Sequence, residues 1–264
     1  MKQQLSTVAF VLLSVVAAAG QTKPAAGANQ MPRTTDGKPD FSGIWQAITT
    51  AAWDIQDHNS DLAGYLGVPP GKGIVDGNDI PYKPDALAQK KKNFEKRDTE
   101  DPAFAKCYLP GIPRANYMPY PFEIVQNPKQ VGFRYEFARA TRVVDLTGHS
   151  REWLEGWPDF YMGDSRGKWE GDTLVVDVRK LSERTWFDHA GNWHTENVHV
   201  VERYTPIDRD HIQYEATIED PDVFTRPWKI SFPLYRMIDK QPEVFEWDCR
   251  FDQDTRKYKE AIPK

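Results

Sequence analysis

Gly163–Tyr204 reads GDSRGKWEGDTLVVDVRKLSERTWFDHAGNWHTENVHVVERY. Side chains two apart along a strand share a face, so alternating β-branched and polar residues mark extended chain. Thr173–Val178 has that composition, Gly171-Asp172 before it is a turn signal, and Gly167–Trp169 before the turn is a short partner strand. A loop rich in aromatic and polar groups comes next, and Val198–Tyr204 resumes the alternation. The reading is strand, tight turn, strand, loop, strand.

Outward from this stretch the same texture repeats. Strands are expected at Phe122–Gln126, Val131–Phe137, Arg142–Asp145, His211–Glu219, Trp228–Tyr235 and Val244–Phe251. Asn127-Pro128, Asp208-Arg209-Asp210 and Asp239-Lys240 supply turns between several of them. Such spacing fits an antiparallel meander better than alternating βαβ units. Nine tryptophans provide large apolar bodies with polar edges, suited to lining a barrel or cleft. The expected fold is mainly β: an antiparallel meander closing into a lipocalin-like barrel, with a short helix and an irregular N-terminal layer. A β-sandwich is the next choice.

Before Phe122 the chain is less regular. Gly-x-Trp at Gly43–Trp45 opens a first apolar segment. Gly and Pro punctuate Val68–Tyr82 and Cys107–Pro121, and such stretches cannot build a central ladder. The second is expected to pack across the mouth or side of the sheet, with Tyr108, Tyr117 and Tyr120 covering apolar surface. Pro84-Asp85 opens a helix reaching about Arg97, because Pro suits a first turn and Ala, Leu, Gln, Lys and Glu favour helix in the later turns.

Met1-Lys2, the apolar run Val8–Ala19 and the small residues Ala17–Gly20 have the three-part layout of a signal peptide over residues 1–20. The run is shorter than the roughly 20 apolar residues of an ordinary span, leaving an uncleaved anchor as the lesser alternative. Residues 21–39, rich in Ala, Gly, Pro and Thr, read as a flexible leader, and 40–264 as a single β-rich domain. Periplasmic or secreted location is the consequence, with no stable membrane span after signal removal. Loss of the Lys2 charge takes the formal net charge from −5 to −6, which argues against general nucleic-acid binding. The run Lys90-Lys91-Lys92, with Glu95 and Asp98 close by, reads as a solvated helix face. Cys107 and Cys249 are the two cysteines; in an oxidising compartment they suggest a disulfide, against two unpaired buried thiols.

The words DGKPDFSGIW (Asp36–Trp45), PYPFEIVQ (Pro119–Gln126), GDSRGKWEGDTLVVD (Gly163–Asp177) and HVVERY (His199–Tyr204) resemble a widespread group of exported bacterial proteins with a GxWEGDTLVVD core. The resemblance extends to Cys107 in its Pro-rich setting and to Ile218–Pro221. It implies export and a β-rich fold and brings no assigned active site, so the chemistry rests on the residues themselves.

Three of the six histidines, His189, His194 and His199, fall within the loop and strand after Trp186, beside Asp188, Trp193 and Glu196. Histidine exchanges protons near neutral pH, and a neighbouring carboxylate orients or charge-balances it. Asp188, His194, Glu196 and His199 are therefore the candidate catalytic groups, with a dyad formed by His194 or His199 and one of Asp188, Glu196 or Glu215. Alternation places His199 and Arg203 on one face of their strand; Tyr214 and Glu215 lie on opposite faces of the next. Trp186, Arg203, Tyr214, Glu215 and Trp228 are the candidate substrate contacts. Solvated loop histidines, barrel-wall tryptophans and an Arg203–Glu202 or Arg203–Glu215 strand pair are the plain structural alternatives.

His189, His194, His199 and Asp188 have zinc-binding chemistry, but HxxxxH is no recognised metal spacing and HExxH is absent, so no metal or cofactor is assigned. No GxSxG turn, phosphate loop or strand-linked GxGxxG occurs. The expected function is an exported small-molecule enzyme using His–carboxylate acid–base chemistry in an aromatic-lined pocket, as lyase, isomerase or hydrolase. The alternative is a non-catalytic periplasmic binding protein for a hydrophobic or aromatic ligand. Either takes a small molecule as its partner.

Overall fold

The computed structural model describes residues 29–60 and 68–247 of the 264. Nine strands close into one barrel, each bonded to its sequence neighbour and the last to the first. They are β1 Gly43–Ala47, β2 Phe122–Asn127, β3 Gln130–Tyr135, β4 Thr141–Asp145, β5 Asp164–Glu170, β6 Thr173–Arg179, β7 His199–Pro206, β8 His211–Glu219 and β9 Trp228–Arg236. The expected mainly β, lipocalin-like barrel is what forms.

Two details differ from the expected meander. Every neighbouring pair is antiparallel except β4 and β5, which run parallel through Val144↔Ser165 and Asp145↔Arg166. The reason is geometric: strand directions cannot alternate all the way round a ring with an odd number of members. The connection 146–163 returns the chain to the same end before β5 begins. The other difference lies at the seam. Val244–Phe251 is not the closing strand: residues 244–247 lie outside any strand, and 248–251 fall outside the described residues. β1 closes the ring instead, with Trp45 opposite Arg236 of β9 and Phe122 of β2. Its five residues contain too short an alternation to have been read as a strand.

Alternation sorts the walls as the physics requires. Val200, Glu202 and Tyr204 of β7 are buried, as are Ile212, Tyr214, Ala216 and Ile218 of β8. Trp45, Phe122, Phe133, Tyr135 and Phe232 join them in one core cluster. Fully burying one such apolar side chain contributes about 1.5–3 kcal/mol.

The Pro-rich stretch Cys107–Pro121 caps this core, as expected. Its short 3-10 turn Arg114–Tyr117 is wholly buried. Tyr117 donates from its hydroxyl to the Phe187 carbonyl at 2.8 Å and meets Phe232 edge to face. Helix α1 (Pro84–Glu95) and a single turn α2 (Arg97–Glu100) lie outside the barrel.

Residues 29–39, the described part of the expected leader, lie against the barrel. Met31 is buried, Arg33 pairs with Asp172 at 2.6 Å, and Arg33 and Pro39 form an isolated bridge. Order therefore begins before Asp40. The signal segment 1–20 and residues 21–28 lie outside the described residues, as does Cys249; Cys107 is not a free thiol. No helix among the described residues is long and apolar enough to cross a membrane.

Candidate functional site

Three environments receive the groups singled out in the sequence, and they are separated by the barrel wall. The outer wall holds His199, Arg203 and Glu215. The register sets Arg203 opposite Glu215 and His199 opposite Glu219. Arg203 nevertheless gives its ion pair to Glu170 at 3.0 Å. The Nε2 of His199 lies 2.6 Å from Asp177 Oδ2. That carboxylate is also held by Arg151. Burial pushes Asp177 up, but the hydrogen bond from His199 and the charges of His199, Arg151 and Arg179 outweigh it and hold the group at about 2. His199 does have a carboxylate partner, on the outer face of the wall rather than in a hollow.

Inside the wall, Tyr214 donates to Glu202 Oε1 at 2.9 Å. The same oxygen accepts from Tyr204 at 3.0 Å and Asn116 at 3.0 Å, and Arg142 forks across both carboxylate oxygens. Arg142 also donates to Ser165 and Tyr135 to Asn116, each at 2.8 Å. Burial, then the Glu202 charge, drive the Tyr204 and Tyr214 phenols well above their ordinary range. Every polar group here is matched by a neighbour. Tyr214 is a member of a sealed polar core, which corrects its assignment as a substrate contact.

The third environment is the loop between β6 and β7 where it meets α1. Gly191 sits at φ +84°, and a Cβ there would come within 2.7 Å of Asn93 Cβ and 2.8 Å of the Phe94 nitrogen. Glycine therefore lets helix and loop touch. Asn93 bonds the Gly191 carbonyl at 3.2 Å, and the Trp193 indole bonds the Ala86 carbonyl at 3.1 Å.

Within this loop His194 is structural. Its Nδ1 donates to the Thr195 carbonyl at 2.8 Å, and Nε2 meets the Thr185 hydroxyl at 2.8 Å. Burial, only partly opposed by the Thr195 carbonyl, lowers its pKa and keeps the ring neutral near pH 7. Glu196 is exposed, Trp186 half-buried and bridged to Trp193, and Trp228 buried edge-on against Phe187 and Phe224. The expected dyad of His194 or His199 with Asp188, Glu196 or Glu215 does not form: loop groups hold both nitrogens of His194, and His199, on the outer wall with Glu215, pairs with Asp177 instead.

A different histidine has the geometry sought. The Nδ1 of His189 donates to Asp101 Oδ2 at 2.8 Å, and its Nε2 lies 3.3 Å from Asp98 Oδ1. Asp101 is fully buried and gripped by both terminal nitrogens of Arg114, at 2.9 and 2.8 Å. Burial alone would raise the Asp101 carboxyl; the Arg114 charge and hydrogen bonds from His189 and Arg114 hold it at about 2. Arg114–Asp101–His189 is thus a chain of fixed polarity, and its imidazole end reaches a cavity.

That cavity, of about 120 Å³, is lined by Trp53, Asp54, His58, Asn59, Val68, Phe94, Arg97, His189 and Ala190. Burial raises Asp54 from its ordinary value, against a hydrogen bond from the Gln56 amide. Behind it Asp188 accepts from the Ile55 and Asn192 amides at 2.9 and 3.0 Å and from the Asn192 side chain at 2.5 Å. Burial and then the Asp54 charge push Asp188 up to about 7 in spite of those donors. Carboxyls driven up and down at one site are the environment that separates proton donors from acceptors.

His58 donates from Nδ1 to the Gln56 carbonyl at 2.8 Å. His58 Nε2 and Trp53 Nε1 are both buried without a hydrogen-bond partner among the described residues. No cluster suited to a metal ion occurs among the described residues.

Asp54, His58, Asp98, Asp101 and Arg114 were not singled out in the sequence. The only signal was diffuse, a scatter of acidic residues and one histidine in irregular chain. Comparison with known proteins finds no matching family model, no matching curated protein and no matching solved structure.

Proposed function

We propose that this protein is a small-molecule enzyme that moves protons in the cavity between α1 and the β6–β7 loop, as a lyase, isomerase or hydrolase. One observation carries the reading: the Arg114–Asp101–His189 chain ends on that cavity. Asp101 fixes the ring's orientation by taking its Nδ1–H, so proton exchange falls to Nε2. His189 is the proton-transfer group and Asp101 its positioning residue. Asp54, with Asp188 behind it, is the second carboxyl, its pKa raised by burial.

Export to the periplasm or beyond belongs to the same proposal. It is supported by the N-terminal apolar run and by the resemblance to exported bacterial proteins, and a Cys107–Cys249 bridge is part of the same proposal.

The test is incubation of the purified protein with a pool of small metabolites, read by mass spectrometry beside His189→Gln and His199→Ala. Loss of turnover in His189→Gln alone, with an unchanged melting temperature, is the expected result. Turnover that survives His189→Gln and disappears with His199→Ala would move the chemistry to the outer wall. Retention of a compound without conversion would favour the non-catalytic binding protein.

A further inference from the structure

We infer that Phe104 is a positioning residue for His189, its ring fixing the imidazole against Asp101 and covering the Arg114 charge. The role in turnover rests on the reading above; the effect on the imidazole does not.

The turn that carries Asp101 also places Phe104. Asp101 Oδ1 accepts from the Ala103 amide at 2.8 Å and from the Phe104 amide at 3.2 Å. An aspartate that takes the amides just after it in the chain fixes a turn locally. The Phe104 ring then meets both other members of the chain. The Arg114 guanidinium lies over it at 5.1 Å, and the His189 ring stands near edge-on to it at 5.9 Å and 78°. A single residue therefore touches Asp101, Arg114 and His189.

Asp101, Arg114 and His189 are buried, whereas Phe104 is half-buried. Its ring is the more exposed neighbour of groups whose polarity depends on exclusion of water, since a hydrogen bond strengthens as the local dielectric falls. A guanidinium is attracted to the face of an aromatic ring, and paired rings favour the edge-to-face arrangement. Leucine would fill similar space with neither preference. Phe104 is also seated on its other side: Phe137 meets it edge to face at 5.7 Å and stacks on Trp247 at 4.6 Å. Such a row holds the ring in one orientation. A side chain that only filled space beside Ala52, Ala103 and Met118 would need no particular one.

NMR of the full chain carrying isotope-labelled histidine tests the role. The Nδ1–H of His189, identified by its loss in His189→Gln, is expected to exchange with water about ten-fold or more faster in Phe104→Leu, a factor equivalent to roughly 1.4 kcal/mol. Phe104→Tyr, which retains the ring, should exchange at the parent rate. The Nδ1–H of His194, bonded to the Thr195 carbonyl in the same loop, is the control and should not change. Thermal unfolding confirms that each variant folds. Unchanged exchange of the His189 proton in Phe104→Leu overturns the role, as does equal acceleration of both histidine protons or failure of Phe104→Tyr to keep the parent rate. The expected exchange pattern in a protein that converts no metabolite leaves the positioning role standing and removes the enzyme. Turnover that needs His189 but is untouched in Phe104→Leu, with exchange unchanged, does the reverse.

Discussion

Arg142 of β4 and Glu202 of β7 meet in the barrel core, their Nη1 and Oε1 atoms 3.1 Å apart and both side chains sealed from water. Two charges taken out of solvent are tolerated only because Tyr204, Tyr214, Asn116 and Ser165 complete their hydrogen bonds. The pair contributes less through attraction than through the penalty for breaking it. Glu202→Ala should therefore lose about 3–5 kcal/mol, because it strands a buried guanidinium. The cradle left behind is shaped for a carboxylate. Added formate should restore part of the urea midpoint where chloride at equal concentration does not. Arg142→Met combined with Glu202→Leu should cost less than Glu202→Ala alone.

Asp101 predicts an acid limb in stability. Its folded value of about 2 lies below the ordinary 3.8, so its contribution is complete above pH 4. That contribution falls away as pH drops from about 4 through 2. Asp145 and Asp177 sit at about 2 as well, so they share the limb. Asp101→Asn should be less stable at neutral pH, with a shallower loss on acidification, in urea melts taken across that range.

Asp188 predicts the opposite slope. Its folded value of about 7 lies above 3.8, so between these limits the folded state holds a proton that the unfolded chain has lost. Stability from this group is fully present below pH 4, decreases as pH rises toward 7, and is flat beyond. Asp188→Asn, which preserves an acceptor for the Ile55 amide, should flatten that decline. A variant with the wild-type slope would rule out the carboxyl pair as its source.

The outer wall should be quiet. Arg203→Ala breaks a pair with Glu170 whose members are each about two-fifths exposed, and solvent screens such pairs to about 1 kcal/mol or less. His199→Ala removes a more sheltered partner of Asp177 and should shift the melting temperature slightly more, with turnover unchanged. A large loss of activity in His199→Ala would place the chemistry on that face.

Barrel closure by β1 and the parallel β4–β5 contact were illegible for a common reason. Both depend on the number of strands and on which edges meet, which no local window contains. The site was hidden for a related one. Asp54, His58, Asp98, Asp101, Arg114 and His189 come from four separate stretches outside the strands, whose convergence depends on the barrel's outer packing. The His-rich loop at Trp186–His199 drew attention correctly as a region, yet of its three imidazoles the cavity received His189, while His194 satisfies loop backbone and His199 faces out.

Local order alone determined the strands from Phe122 to Tyr235 and the sidedness of each, since a period of two distributes side chains between wall faces whatever the register. Which faces would look inward, which acid would meet which base, and where a space would remain were decided only by three-dimensional packing; the pairing that sets Arg203 opposite Glu215 is one such outcome. These outcomes depend on distances between residues as far as 137 positions apart (Trp53 and Ala190 on one cavity), and covalent order carries no record of such distances.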